Sequence, residues 1–270
     1  MKRTVKTVDN RDYLIEEFNN FNELINTNDS RERNFGDSRT DNDRNWRGAT
    51  YEEAVDMLRY GWQDKDKLDY TMQKISQLNK QQETQRTSFK NDIVGFAPVV
   101  PLAIMGVPQN MINSTRIPKK AKVIKIILDV GMASGVSVNE KMEWGAKVTS
   151  KIANLEKQGF RVKIECIKTF VEDNRTSKCH VCKVPVKSEN QPFDVKRMMF
   201  VIAHPAMSRR IMFDWYERLP EAVEYSGYGR SLQYHNTDRA NKIKAVIADT
   251  ENSYYISIED NIDKVLKEVA

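Results

Sequence analysis

The strongest hydrophobic pattern in the chain is the near-continuous apolar run Val123–Val130, which predicts a strand buried on both faces of a parallel sheet. Ser137-Val-Asn-Glu140 follows as a capping box, and Val138, Met142, Gly145, Val148, Ile152 and Leu155 recur at helical steps until Gly159 stops the helix. Phe160, Val162, Ile164 and Cys166 then alternate with Arg161, Lys163 and Glu165, the period of a half-buried strand. Strand, helix and strand in this order predict a right-handed βαβ unit.

Upstream, Leu14, Phe18, Phe21 and Leu24 stand at helical spacing and predict a first helix. Asn28–Gly48 crowds polar turn formers with interspersed arginines and acids, the composition of a solvated loop or flexible arm. A capping box at Thr50 and Glu53 opens a helix from about Tyr51 to Gly61, and a long half-exposed helix is expected from Asp66 to about Lys90. Pro98, Pro101, Pro108 and Pro118 forbid a regular element through Gly95–Lys120, which reads as an apolar connector packed on the core.

Downstream, a short strand is expected from about His180 to Lys187, with Pro185 placing it at a sheet edge. Asp194 opens the most apolar helix, kinked at Pro205, and Ile243–Asp249 reads as a further buried strand ending in a carboxylate. The elements assemble into a three-layer α/β domain with a mainly parallel sheet over 121–270. A helical, proline-punctuated extension over 1–120 precedes it.

Composition changes this picture little. The chain has 270 residues, 30% of them charged and 40% hydrophobic, as in a globular protein. Its 43 basic and 38 acidic residues leave +5, which permits contact with a polyanion without requiring one. No apolar run approaches the roughly 20 residues of a spanning helix, and the first residues lack a signal peptide's apolar core. A cytoplasmic protein with no membrane partner is expected. Cys166, Cys179 and Cys182 cannot all pair with one another, so reduced thiols are the default.

Candidate chemistry gathers at the strand ends, where open α/β sheets bind ligands. Asp129 and Asp249 close two predicted strands, and with Ser134 and Ser137 they form a donor set that suits a hard cation such as magnesium. A plain turn and an anion site built from backbone N–H groups near Gly131 and Gly135 are the competing readings, although Asp129 has the wrong sign for the latter. Cys179-His180-Val-Cys182 reads as packing thiols rather than a zinc site, and His204 as a hydrogen-bonded core histidine. Tyr225, Tyr228, Arg230, Tyr234 and His235 cluster in one loop whose aromatics and cation suit stacking on bases or contact with a protein. No Ser-His-Asp order or nucleophile elbow is present, so a binding protein is expected over an enzyme.

The succession of strand, acidic loop with serines, helix, strand, short edge strand, long buried helix and strand ending in Asp resembles the von Willebrand factor A fold, a Rossmann-like architecture. That family holds a divalent metal with a D-x-S-x-S loop plus a Thr and an Asp from later loops. In Asp129-Val-Gly131-Met-Ala133, Gly and Ala stand at the two serine positions. The resemblance therefore implies a degenerate metal site, with Ser134 or Ser137 substituting and Asp249 matching the later acid by element order. GFAPVVPLAIMGVPQNM and FVIAHPAM also resemble bacteriophage proteins that join a proline-rich segment to such a domain, which implies a host cytoplasm.

The function expected from these readings is a non-catalytic binding or adaptor protein that engages a protein partner through the strand-end face. A nucleic-acid-binding protein using its basic helices and tyrosine-rich loop is the alternative. A magnesium-dependent phosphotransfer or hydrolytic enzyme comes third.

Overall fold

The structure is a computed structural model that describes residues 1–80, 88–115, 122–172, 178–224, 237–247, 253–258, 260 and 263. The chain divides into two compact units, Met1–Leu78 with Lys122–Ala270, and Asn79–Ala121. The division expected after residue 120 differs from this grouping, because the chain's first strands join the main sheet.

In the first unit, β1 (Lys2–Val8), β2 (Arg11–Glu17), β6 (Val123–Asp129), β7 (Arg161–Val171), β8 (Lys178–Lys187) and β9 (Ser253–Ile256) form one mixed sheet in the order β1-β2-β8-β7-β6-β9. The β2–β8, β6–β7 and β6–β9 pairs are parallel, and the β1–β2 and β7–β8 pairs antiparallel. The helices of this unit are α1 (Phe21–Asp29), α2 (Arg44–Arg47), α3 (Tyr51–Tyr60), α4 (Lys65–Lys80, its last residues reaching past Leu78), α6 (Val138–Lys157), α7 (Val195–Ala203), a π-helical segment Met207–Met212, α8 (Phe213–Glu217) and α9 (Thr237–Ile247).

The sheet is covered on both faces. Ile124, Ile126, Leu128, Val162, Ile164 and Cys166 pack against α1, α3, α6, α7 and the π-helical segment. Tyr13, Ile15, Ile127, Ile167 and Val181 pack against Ile243 and Ile247 of α9. The class is therefore α/β with a mixed sheet between helical layers.

Several local expectations change. Residues 11–17 form strand β2 rather than the start of a helix, because the Leu14-to-Leu24 spacing straddles a strand, a turn and α1. Residues 243–247 belong to α9, where Ile243 and Ile247 meet the core one turn apart. Strand β8 lies inside the sheet, between β2 and β7. Its Pro185 is tolerated because pairing with β2 ends at Lys183 and the β7–β8 register shifts beside it, leaving Val186 of β8 as the extra residue of a bulge.

The polar segment 28–48 is a pinned strap rather than a solvated arm. Arg39 grips Asp214 through Nε at 2.7 Å and Nη2 at 2.8 Å, and Arg218 and the Tyr51 hydroxyl add to the same buried carboxylate. Glu217 accepts from the Ser38 amide and hydroxyl, and Arg210 donates to the carbonyls of Ser38, Asp41 and Ala49.

Helices α6 and α7 touch at Gly145, where an added Cβ would fall inside the van der Waals radius of Ala203 Cβ and backbone. Gly145→Val is expected to force the two helices apart and cost about 2–3 kcal/mol, read as a lowered urea midpoint with an unchanged slope.

The second unit contains β3 (Ser88–Asp92), β4 (Ala97–Pro98), α5 (Val100–Ile104) and β5 (Met111–Thr115). Its strands form an antiparallel sheet in the order β3-β5-β4. The expected apolar connector is thus a small folded unit, and several of its large apolar side chains are exposed rather than packed away.

Candidate functional site

Strand β6 is central in its half of the sheet, flanked by β7 and β9, so its carboxyl end opens between two parallel neighbours. In such sheets that position is where ligands are held. Asp129 sits there, fully buried. Its Oδ1 accepts the Gly131 amide at 2.8 Å, and its Oδ2 accepts the Tyr255 hydroxyl from β9. Lys244 of α9 lies over the Tyr255 ring, 4.4 Å from its centroid.

The loop after Asp129 is held by a cation of the chain. Arg209, on the π-helical segment, donates through Nη2 to the carbonyls of Val136 at 2.9 Å and Ala133 at 3.2 Å, with Ser134 at 3.5 Å. Its Nη1 donates to the Trp46 carbonyl, its guanidinium lies 4.4 Å from the Trp46 ring centroid, and Trp46 Nε1 donates to the Ser134 carbonyl at 3.1 Å. The wider helical turn projects Arg209 to one side of the body and Arg210 toward the strap. Burial lowers the Arg209 pKa to about 10, with neighbouring Arg47 adding to the effect.

Lys141, in the first turn of α6, completes the basic lining. It is 1% exposed, its Nζ has no hydrogen-bond partner, and it rests 4.2 Å from the centroid of the Trp144 ring. Burial lowers its pKa to about 7 against the opposing pull of Asp129, with Lys168 and Arg209 adding repulsion. Cys166 faces the same cluster, and burial followed by the Asp129 charge pushes its thiol far above the ordinary range.

Of the residues singled out in the sequence, Asp129, Ser134 and Ser137 come together at this strand end. Each also serves the local structure. Ser134 is exposed and offers its carbonyl to Arg209 and Trp46. The Ser137 hydroxyl accepts the Glu140 amide at 3.2 Å as the cap of α6. Asp249 and the loop cluster Tyr225, Tyr228, Arg230, Tyr234 and His235 lie outside the described residues. Among the described residues, no group of three His, Cys, Asp or Glu side chains is placed to hold a metal. Both Asp129 carboxylate oxygens and the Ser137 hydroxyl thus accept hydrogen bonds from within the chain.

The remaining thiols and imidazoles among the described residues are buried. Cys179 and Cys182 pack into opposite faces of the sheet and cannot share a metal. His180 Nε2 lies 2.7 Å from Glu172 Oε1, both side chains buried. His204 is a core histidine whose Nδ1 accepts the Ala206 amide at 3.2 Å, and burial lowers its pKa to about 4. Sequence reasoning missed Lys141, Trp46 and Arg209. Lys141 had a legible signal, since a lysine one position after the capping glutamate interrupts the apolar face of α6.

Residues 3–268 match the family described as a domain of unknown function, DUF7192. The chain belongs to that family. No curated protein and no solved structure matches this DUF7192 chain. Among its described residues, no helix is long and apolar enough to cross a membrane.

Proposed function

We propose that this chain is a non-catalytic binding protein of von Willebrand factor A-like architecture whose metal position is closed by its own cations. The observation that carries the reading is the double engagement of Asp129, by the Gly131 amide and the Tyr255 hydroxyl, beneath a loop whose carbonyls are held by Arg209. The order β6, loop, α6, β7, β8, α7 and β9, with β6 between β7 and β9, supports the fold assignment.

A binding role follows from where the chemistry has gone. The described thiols and imidazoles are buried, and a thiol with a raised pKa is a poor nucleophile. The rim of the site is accessible, because Ser134, Gly135, Ser137, Asn139 and Glu140 are exposed around a rigidly held loop. A preorganised polar rim of this kind suits contact with a protein partner.

The test is a metal titration. Magnesium or manganese at millimolar concentration, or a chelator, is expected to leave the melting temperature unchanged and to give no binding heat. Saturable stabilisation by either ion, lost in Asp129→Asn, would overturn the closed-site reading. Here a ligand binding only the folded state at about 100 times its dissociation constant would add about 2.7 kcal/mol, a readily visible shift.

A further inference from the structure

Lys141 keeps an amine where the fold supplies no acceptor for it. It stands in the first turn of α6, 1% exposed, and its Nζ has no hydrogen-bond partner. Side chains on a helix lean toward its N-terminus, so this amine is directed back to the end of β6 rather than along the flank of α6. The half-buried ring of Trp144 lies beside it, with its centroid 4.2 Å from Nζ, and the Nε1 of that ring is also without an acceptor. Buried donors left unpaired cost free energy that apolar residues in the same places would not, and they call for a chemical explanation.

The charged and titratable groups that act on the amine come from three elements. Strand β6 contributes Asp129, whose carboxylate accepts the Gly131 amide and the Tyr255 hydroxyl. Strand β7 contributes the Cys166 thiol, which burial keeps protonated, and the fully buried Lys168. The π-helical segment contributes Arg209, 1% exposed, whose Nε is a third buried donor without an acceptor. Around Nζ, two cations therefore stand against one carboxylate. An ammonium at this position adds to the excess, whereas an anion there would remove it and would accept from the donors left open.

The neutral amine is favoured accordingly. With its pKa lowered to about 7, first by burial, Lys141 is uncharged in about seven-tenths of molecules at about pH 7.4, against roughly one in a thousand for an exposed lysine. A neutral lysine amine is a nucleophile, and one this enclosed is reached by small uncharged electrophiles.

We propose that Lys141 is a carbamylation site for carbon dioxide. The Nζ lone pair bonds to the carbon of CO2, one C=O π pair moves onto oxygen, and the nitrogen releases a proton to solvent, leaving a carbamate in place of the amine. The step needs no oxidant and expels no leaving group. Its product brings a negative charge and two acceptor oxygens among Lys168, Arg209 and the Trp144 ring, where only donors were open. Carbon dioxide suits the enclosure because it is small, apolar and neutral, whereas bicarbonate would have to shed its hydration to enter. The chemistry is independent of what contacts the loop rim, so its failure would leave the closed-site reading standing.

The test is incubation of the full chain with isotopically labelled carbon dioxide and bicarbonate at about pH 8, read by carbon NMR and by O-ethylation of the carbamate followed by peptide mass mapping. A carbamate mapping to Lys141 is expected, and it is absent from Lys141→Met, a variant whose folding its own melting curve verifies. At fixed CO2 pressure the signal should fall by at least about tenfold for each pH unit below 7, as the neutral amine becomes scarcer. The melting temperature should rise saturably with CO2 in the parent and stay unchanged in Lys141→Met. Absence of the signal, its confinement to Met1 or to surface lysines, or its survival in Lys141→Met would overturn the proposal.

Discussion

Replacing Asp214 by alanine is expected to cost about 3–5 kcal/mol. The carboxylate is fully buried at the start of α8 and takes Arg39 in a two-point grip, Arg218 at 2.7 Å and the Tyr51 hydroxyl at 3.2 Å. Its removal leaves Arg39 with only the more exposed Asp29 and Arg218 with a backbone carbonyl, in a partly buried site where a lost counter-charge is costly. Because Arg39 is the strap's main anchor, amide hydrogen exchange over residues 29–48 should accelerate more than exchange in β6 or β7. Uniform acceleration would mean that the strap and the sheet unfold as one.

The opposite sign is expected at Lys141. Its pKa falls from 10.5 in the unfolded chain to about 7 in the fold, so the unfolded chain binds the extra proton between those values. Below pH 7 the lysine is charged in both states and the fold carries the full penalty of a buried ammonium. Above about 10.5 it is neutral in both, and the penalty is gone. Stability should therefore rise with pH across this window, and Lys141→Met should stabilise the protein below pH 7 by roughly 5 kcal/mol, with the gain vanishing near pH 10.5. Denaturant melts of both proteins across the window decide it. A variant less stable than the parent at every pH would show Lys141 acting chiefly as counter-charge to Asp129.

Legibility in the sequence followed the local physics. The strand Val123–Asp129, the cap at Ser137 and the helix to Lys157 were readable because run length, capping box and periodicity agree within one segment. Strand β2 was not, since Leu14 and Phe21 belong to different elements that happen to preserve a helical spacing. The segment IKAVI of α9 is short and apolar enough to satisfy either period, and only its packing under the sheet decides. At the site, Asp129 was visible as a carboxylate ending a buried strand. Arg209 was not, because its partners lie more than seventy residues away along the chain and consist of backbone carbonyls, which carry no sequence signature.

The position of β2 in the sheet bears on how the protein is made. Asp12 of β2 pairs with Lys178 of β8, and the two strands run parallel. On a ribosome adding about 5–20 residues per second, the β1–β2 hairpin therefore waits roughly ten to thirty seconds for its inner neighbour. Throughout that interval Tyr13 and Ile15, which end in the core, face solvent or a chaperone. The lysines and arginine of β1, Lys2, Arg3 and Lys6, guard the outer edge of the nascent hairpin against pairing with another chain.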